Sequence, residues 1–261
     1  MIQRDSSNPQ VGSDNHQPLK KRVVFTMGGK GGVGKTSVAL ALAEWFHANQ
    51  VPITLLDLDS ENRAAGSLKH YFNGAARQVN IHTPAGLDAF IDHLADDGPP
   101  VILADMGSGA GQVTLDWFDT MQPEILPLGI AFTAIGVITP DPASVQSLLA
   151  WASRLGDRVQ YLVVENACNP QPDFSYWRNT EQAQGFRDRF RPATVSMEFR
   201  LPDLENAARQ YGFTLGQVGD RSISVPDSAL ILNRSSLVLR ARAYNRRLFA
   251  EFDKACELLL P

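Results

Sequence analysis

The densest chemical signal in the chain is Gly29-Lys30-Gly31-Gly32-Val33-Gly34-Lys35-Thr36. Its glycines can take left-handed backbone angles, which turn successive N–H groups inward around an anion. Lys35 adds a cation and Thr36 a hydroxyl that suits Mg2+. The spacing G-x-x-x-x-G-K-[ST] therefore points to the β- and γ-phosphates of a nucleotide. Carboxylates follow at intervals. Asp57 and Asp59 stand at i and i+2 in Leu55-Leu56-Asp57-Leu58-Asp59-Ser60-Glu61-Asn62. Beside a triphosphate, such a pair suits the placement of water and of Mg2+. Asp105 closes the apolar run that starts at Val101 and precedes Met106-Gly107-Ser108-Gly109. It suits Mg2+ held through water, and the N–H of Gly107 or Gly109 suits a γ-phosphate. The competing readings are a glycine turn that packs a helix on a strand, turn-favouring aspartates and an ordinary strand end. A packing turn explains neither Lys35 nor Thr36.

These residues need elements to place them. Arg22–Met27 reads as a buried strand before the glycine loop, and Ser37–His47 as a helix after it. Further strands are expected over 51–57, 101–105, 131–139, 159–165 and 194–199. Helices are expected over 87–94, 114–121, 145–155 and 237–260, and 58–80 shows little period. Strands alternating with helices imply a parallel, or mostly parallel, sheet flanked by helices on both faces: an α/β fold. Ligands in such sheets bind beyond the carboxyl ends of the strands, where the loop and all three acids fall. Residues 1–20 read as a disordered leader and 21–261 as one domain.

With Lys30 included, Gly28-Gly29-Lys30-Gly31-Gly32-Val33-Gly34-Lys35-Thr36 resembles the deviant Walker A motif of the MinD/ParA family of P-loop nucleotide hydrolases. The resemblance implies an ATPase that binds ATP and Mg2+ through Gly29 to Ser37. It implies that Lys30 reaches across a homodimer to the partner subunit's nucleotide, so that Lys30, Lys35 and Asp59 are catalytic. Asp59 takes the place of the acid that orients the attacking water. The family's Pro-Gln is here Ser60-Glu61, and its Asn corresponds to Asn62 or, one residue later, to Arg63. Thr36, Asp57 and Asp105 are the expected Mg2+ residues, the acids through water. Where many relatives carry a proline after the second-switch acid, this chain has Met106-Gly107-Ser108. Asn166 stands where the family reads adenine, and Leu201-Pro202-Asp203 resembles the segment on the other side of the base. The absence of an N-K-x-D motif favours ATP over GTP.

The whole chain narrows the role. It has 261 residues, 20% charged, with a net charge of −4. Any nucleic-acid contact must then be a local patch. Cys168 and Cys256 are isolated, which predicts a reducing cytoplasm and argues against an iron–sulfur cluster. No apolar run reaches the length of a membrane span; the longest, 125–138, is broken by Pro127 and glycines. In the last helical pattern, Leu239, Tyr244, Leu248, Phe249, Phe252 and Leu259 are expected to pack on the sheet. Arg240, Arg242, Arg246 and Arg247 are a candidate site for non-specific DNA contact, as in ParA relatives. The resemblance implies a role in plasmid or DNA partition or positioning, with a partner protein that stimulates hydrolysis. A conjugal transfer or mobilisation accessory ATPase is an alternative. A non-hydrolysing, nucleotide-regulated interaction protein is another, from a different class.

Overall fold

The computed structural model describes residues 19–58, 67–72, 74–107, 109 and 111–261. The expected leader up to residue 18 lies outside the described residues, as do Asp59, Ser60, Glu61, Asn62, Arg63 and Ser108.

In chain order the elements are β1 (Lys21–Met27), α1 (Lys35–Ala48), β2 (Ile53–Asp57), α2 (Leu68–Tyr71), β3 (Ala76–Gln78) and α3 (Pro84–Ala95). Next come β4 (Val101–Asp105), α4 (Gly111–Ile125), β5 (Ile130–Ile138), α5 (Pro142–Leu155), β6 (Gln160–Asn166), α6 (Ser175–Asn179) and α7 (Glu181–Phe190). The rest are β7 (Ala193–Met197), α8 (Pro202–Gln210), α9 (Leu215–Gly219), α10 (Ser235–Asp253) and α11 (Cys256–Leu259). The strands form one seven-stranded sheet in the order β3-β2-β4-β1-β5-β6-β7. Every pairing is parallel.

Both faces of the sheet are covered, and the strand period of two decides which residue goes where. Val23, Phe25 and Met27 join the core on the side of α3, α4, α5 and α7, whereas Val24 joins the core under α1 and α10. β4 divides likewise, Ile102 and Ala104 to the first core and Val101 and Leu103 to the second. A third, smaller cluster ties α8 and α9 to the start of α10. The chain is thus an all-parallel α/β sheet between helical layers, and β1 sits between β4 and β5, near the point where strand order reverses.

The six strands and five helices expected from the sequence all occur, with ends shifted by a few residues and the last helix interrupted. β3 is the seventh strand. Its three residues, Ala-Arg-Gln, carry no apolar run, and it forms an edge of the sheet. Two expectations at the C-terminus need correction. The helix expected over 237–260 breaks after Asp253 into α10 and α11. Leu239 does not pack on the sheet but is 59% exposed, because the buried line of α10 runs Leu237, Ala241, Tyr244, Leu248, Phe252, spaced three or four apart.

Candidate functional site

β1 ends at Met27, and the chain turns through Gly28, Gly32 and Gly34, all at positive φ. Gly34, at φ 97°, is the N-cap of α1. A side chain there would be strained, and its Cβ would also collide with the Asn166 amide nitrogen. That nitrogen donates a buried hydrogen bond of 2.8 Å to the Val33 carbonyl. The second half of the loop is therefore braced from the end of β6. The first half is braced from α5: the N–H groups of Gly29 and Lys30 both donate to Ser147 Oγ, at 2.9 and 3.2 Å. Lys35 Nζ crosses the loop and donates to the Lys30 carbonyl at 2.9 Å.

Behind the loop stand the acids. Asp57 and Asp105 end neighbouring strands and are register partners across β2 and β4. Both are buried. Thr26 Oγ1 donates to Asp105 Oδ1 at 2.9 Å and accepts from the Met106 N–H at the same distance. The Thr36 hydroxyl also hydrogen-bonds to Asp105. Burial pushes the Asp105 carboxyl up to about 6. The hydrogen bonds from Thr36 and Thr26 and the charge of Lys35 pull it down, while the charge of Asp57 adds to the rise. Asp57 Oδ2 accepts from the Lys69 N–H at 3.2 Å. Two buried carboxylates beside a threonine hydroxyl form an oxygen-rich, negative corner. This is the donor set that a hard divalent cation takes.

Loop and acids open onto a cavity of about 1000 Å³. Gly31, Gly34, Lys35 and Thr36 line it, and it extends past Asn166 and Arg200 to α10. Its volume is that of a pocket for a ligand of nucleotide size. The N-terminal N–H groups and positive dipole end of α1 lie at its phosphate-suited end.

A family model described as the CobQ/CobB/MinD/ParA nucleotide binding domain matches residues 24–236. The chain belongs to this family.

No curated protein sequence matches the chain. Among solved structures, it is similar to the MinD cell division protein of Aquifex aeolicus, at 15% identity and a TM-score of 0.46, over 88% of this chain and 97% of that one. A nucleotide-binding protein from Archaeoglobus fulgidus in complex with ADP gives 17% and 0.45, over 89% and 91%. A candidate plasmid partition protein from Borrelia burgdorferi B31 bound to AMPPNP gives 12% and 0.47, over 86% and 99%.

The nucleotide-binding fold brings most of the residues singled out in the sequence to one place. Gly31, Gly32, Gly34, Lys35, Thr36, Ser37 and Asn166 line the cavity, with Asp57 and Asp105 behind them. Val33 is buried beneath the loop. Pro202 and Asp203 are exposed in the first turn of α8 and outside the cavity wall; their neighbours Phe199, Arg200 and Glu205 line it instead. The four arginines of α10 diverge. Arg242 Nε donates to the Gly219 carbonyl, and Arg247 pairs with Glu198 at 2.8 Å, while Arg240 and Arg246 are exposed.

The structure adds residues that the sequence reading passed over: Thr26, Asp141, Ser147, Glu44 and Arg200. Asp141 had a legible signal, since Pro140-Asp141-Pro142 is an N-cap followed by proline at the first helical position. Its carboxylate caps α5 by accepting from the Ala143 N–H at 2.9 Å. Glu44, on the third turn of α1, lines the cavity and accepts from the Thr214 hydroxyl and from the Gly216 N–H. Burial pushes its carboxyl up to about 7 against the pull of hydrogen bonds from Thr214, Gly216 and Gln217. Nothing in its local sequence marks it out from a solvated helix acid.

Proposed function

We propose that the chain is a Mg2+-dependent ATPase that dimerises around ATP and works as a switch in the partition or positioning of DNA. The observation that carries the reading is the braced glycine loop, with Lys35 and Thr36 at the mouth of α1 and the Asp57–Asp105 pair directly behind them. The loop N–H groups and Lys35 hold the β- and γ-phosphates. Thr36, Asp57 and Asp105 hold Mg2+, the acids through water. The bound ion supplies charge that stabilises the transferring phosphoryl group. Asp59, two residues beyond β2, orients the attacking water. Lys30 meets the partner subunit's nucleotide, which makes dimerisation depend on ATP. Asn166 and the segment that leads into α8, through Phe199 and Arg200 rather than Pro202 and Asp203, face the base. The exposed Arg240 and Arg246 give each subunit a phosphate contact that the dimer doubles.

Phosphate release, measured with and without DNA, tests the reading. Lys35→Ala should lower nucleotide affinity about a hundredfold, the loss of a charge-assisted contact to phosphate. Asp59→Ala should bind ATP normally and hydrolyse it orders of magnitude more slowly, accumulating the dimer. Normal affinity in the first variant removes the phosphate-loop assignment. Normal turnover in the second places the water elsewhere.

A further inference from the structure

The cavity does not end where phosphates would. It runs along α1 past Leu40 and Ala41 to Glu44 and closes on α10, where Tyr244 and Asn245 form part of its wall. At 1.5 Å per residue, Ala41 lies about 7 Å and Glu44 about 12 Å along the helix from Thr36. The inner compartment therefore extends away from the loop over the length of a nucleoside.

Two polar side chains of this wall, Tyr244 and Asn245, face the cavity. Tyr244 is 6% exposed, and its hydroxyl is buried with no hydrogen-bond partner among the described residues, although the Arg200 guanidinium lies beside it. Asn245, next in the helix, is 8% exposed and lines the same cavity. An unpaired buried hydroxyl or amide costs about 1–3 kcal/mol. The Tyr244 hydroxyl, with the Asn245 amide beside it on the same cavity wall, fits a pair that a ligand completes.

The character of the compartment says which part of a ligand that is. Leu40, Ala41 and Phe213 give it apolar walls. Its charges oppose one another: Arg200 pairs with Glu205 at 3.3 Å, and Arg209 with the same carboxylate at 3.1 Å. The carboxylate of Glu44 adds no cation. Both arginines are already engaged by a carboxylate, whereas a flat, neutral heterocycle meets apolar walls and polar edges. An amide presents an acceptor and a donor side by side, which matches the N6 and N7 edge of adenine. The corresponding edge of guanine presents two acceptors and suits arginine.

We infer that Tyr244 and Asn245 of α10 recognise the adenine base, so that base selection is made by the C-terminal helix and not by the strand-end Asn166 alone. The inference rests on the phosphate-loop reading.

Calorimetric titration with ATP, GTP and inorganic tripolyphosphate tests the two separately. Asn245→Ala should weaken ATP about tenfold. It should leave tripolyphosphate within about twofold and narrow the preference for ATP over GTP. Tyr244→Phe removes only the hydroxyl and keeps the ring in the core. It should weaken ATP a few fold, again without touching tripolyphosphate, and it decides the matter if the alanine variant does not fold. Unchanged ATP affinity in Tyr244→Phe and Asn245→Ala overturns the inference. So does an equal loss of ATP and tripolyphosphate, because the variants would then act through the loop. A wild-type protein that binds neither ligand overturns the phosphate-loop reading instead.

Discussion

Lys30 Nζ lies 3.2 Å from Asp141 Oδ2 in the same chain, and the two side chains are 43% and 50% exposed. The lysine proposed to cross a dimer interface is thus held by the acid that caps α5. Exposed pairs of this kind are weak, so the contact is readily exchanged for a partner's phosphate. Lys30→Ala should keep the monomer's affinity for ATP and abolish the ATP-dependent dimer, read by light scattering with a slowly hydrolysed analogue. Asp141→Asn keeps the helix cap and weakens the ion pair. It should shift dimerisation to a few-fold lower protein concentration. A dimer of normal strength from Lys30→Ala would contradict the proposed contact.

The crowding of Asn166 against Gly34 gives a second expectation. Gly34→Ala adds a methyl where the backbone is left-handed and the Asn166 amide is in the way. Asn166→Ala removes the amide and its bond to the Val33 carbonyl. Each single variant should lower the melting temperature and weaken nucleotide. Together they should cost less than their sum, with a coupling on the order of 1 kcal/mol, since the collision disappears. The backbone strain at Gly34 remains, so full recovery is not expected. Strict additivity in the thermal cycle would mean that the two residues do not meet.

Asp105 and Asp57 predict opposed effects on stability and function. Both carboxylates are buried side by side, and burial outweighs the hydrogen bonds from Thr26 and Thr36 at Asp105. Asp105→Asn should therefore raise the melting temperature of the nucleotide-free protein at neutral pH. The same variant should lose most of the extra stabilisation that Mg-ATP gives the wild type, which follows ligand affinity. Thermal scans with ATP, with Mg2+, with both and with neither supply the four values. A variant destabilised when free and stabilised normally by Mg-ATP would remove Asp105 from the proposed site.

Glu44 sets a pH dependence of folding. Its folded-state value is raised from 4.5 to about 7. Between those values the folded protein holds a proton that the unfolded chain has lost, so stability falls as pH rises through that window and levels off above it. Glu44→Gln should flatten this slope and be more stable than the wild type at pH 8, by an amount on the order of 3 kcal/mol. Chemical denaturation from pH 4 to pH 8 measures it. Parallel curves for variant and wild type would show that Glu44 stays ionised in the folded state.

The arrangement around the loop was legible because its chemistry is local. Gly29 to Thr36, and the acids that end apolar strands, carry their signal within a few residues, and strand–loop–helix order does the rest. Thr26, Ser147, Glu44 and Tyr244 were not legible. Thr26 reads as an ordinary β-branched strand residue, and its bond to Asp105 spans 79 positions. Ser147 sits mid-helix and meets Gly29 only because α5 packs beside the loop, 118 residues on. The short α6 and α9 and the polar α7 had too little apolar period to be read; α7 buries only Ala183 and Phe186. At α10, the apolar stripe was visible but its phase was not, and Leu239 faces solvent.

Arg22 lies in the first strand, and burial lowers its tendency to stay charged. Its Nε donates to the Leu260 carbonyl at 2.6 Å, 238 residues later, and its Nη1 donates to Thr133 Oγ1 at 3.0 Å. Thr133 Oγ1 in turn donates to the Leu258 carbonyl at 2.6 Å. During synthesis the central strand of the sheet therefore carries a cation that meets Thr133 and Gln160 within the sheet but gains the Leu260 carbonyl only once α11 has emerged. A buried cation left short of one acceptor keeps part of its desolvation cost. Ribosome-bound chains that stop before residue 256 should accordingly stay protease-sensitive although all seven strands have been made, and protection should appear late and all at once.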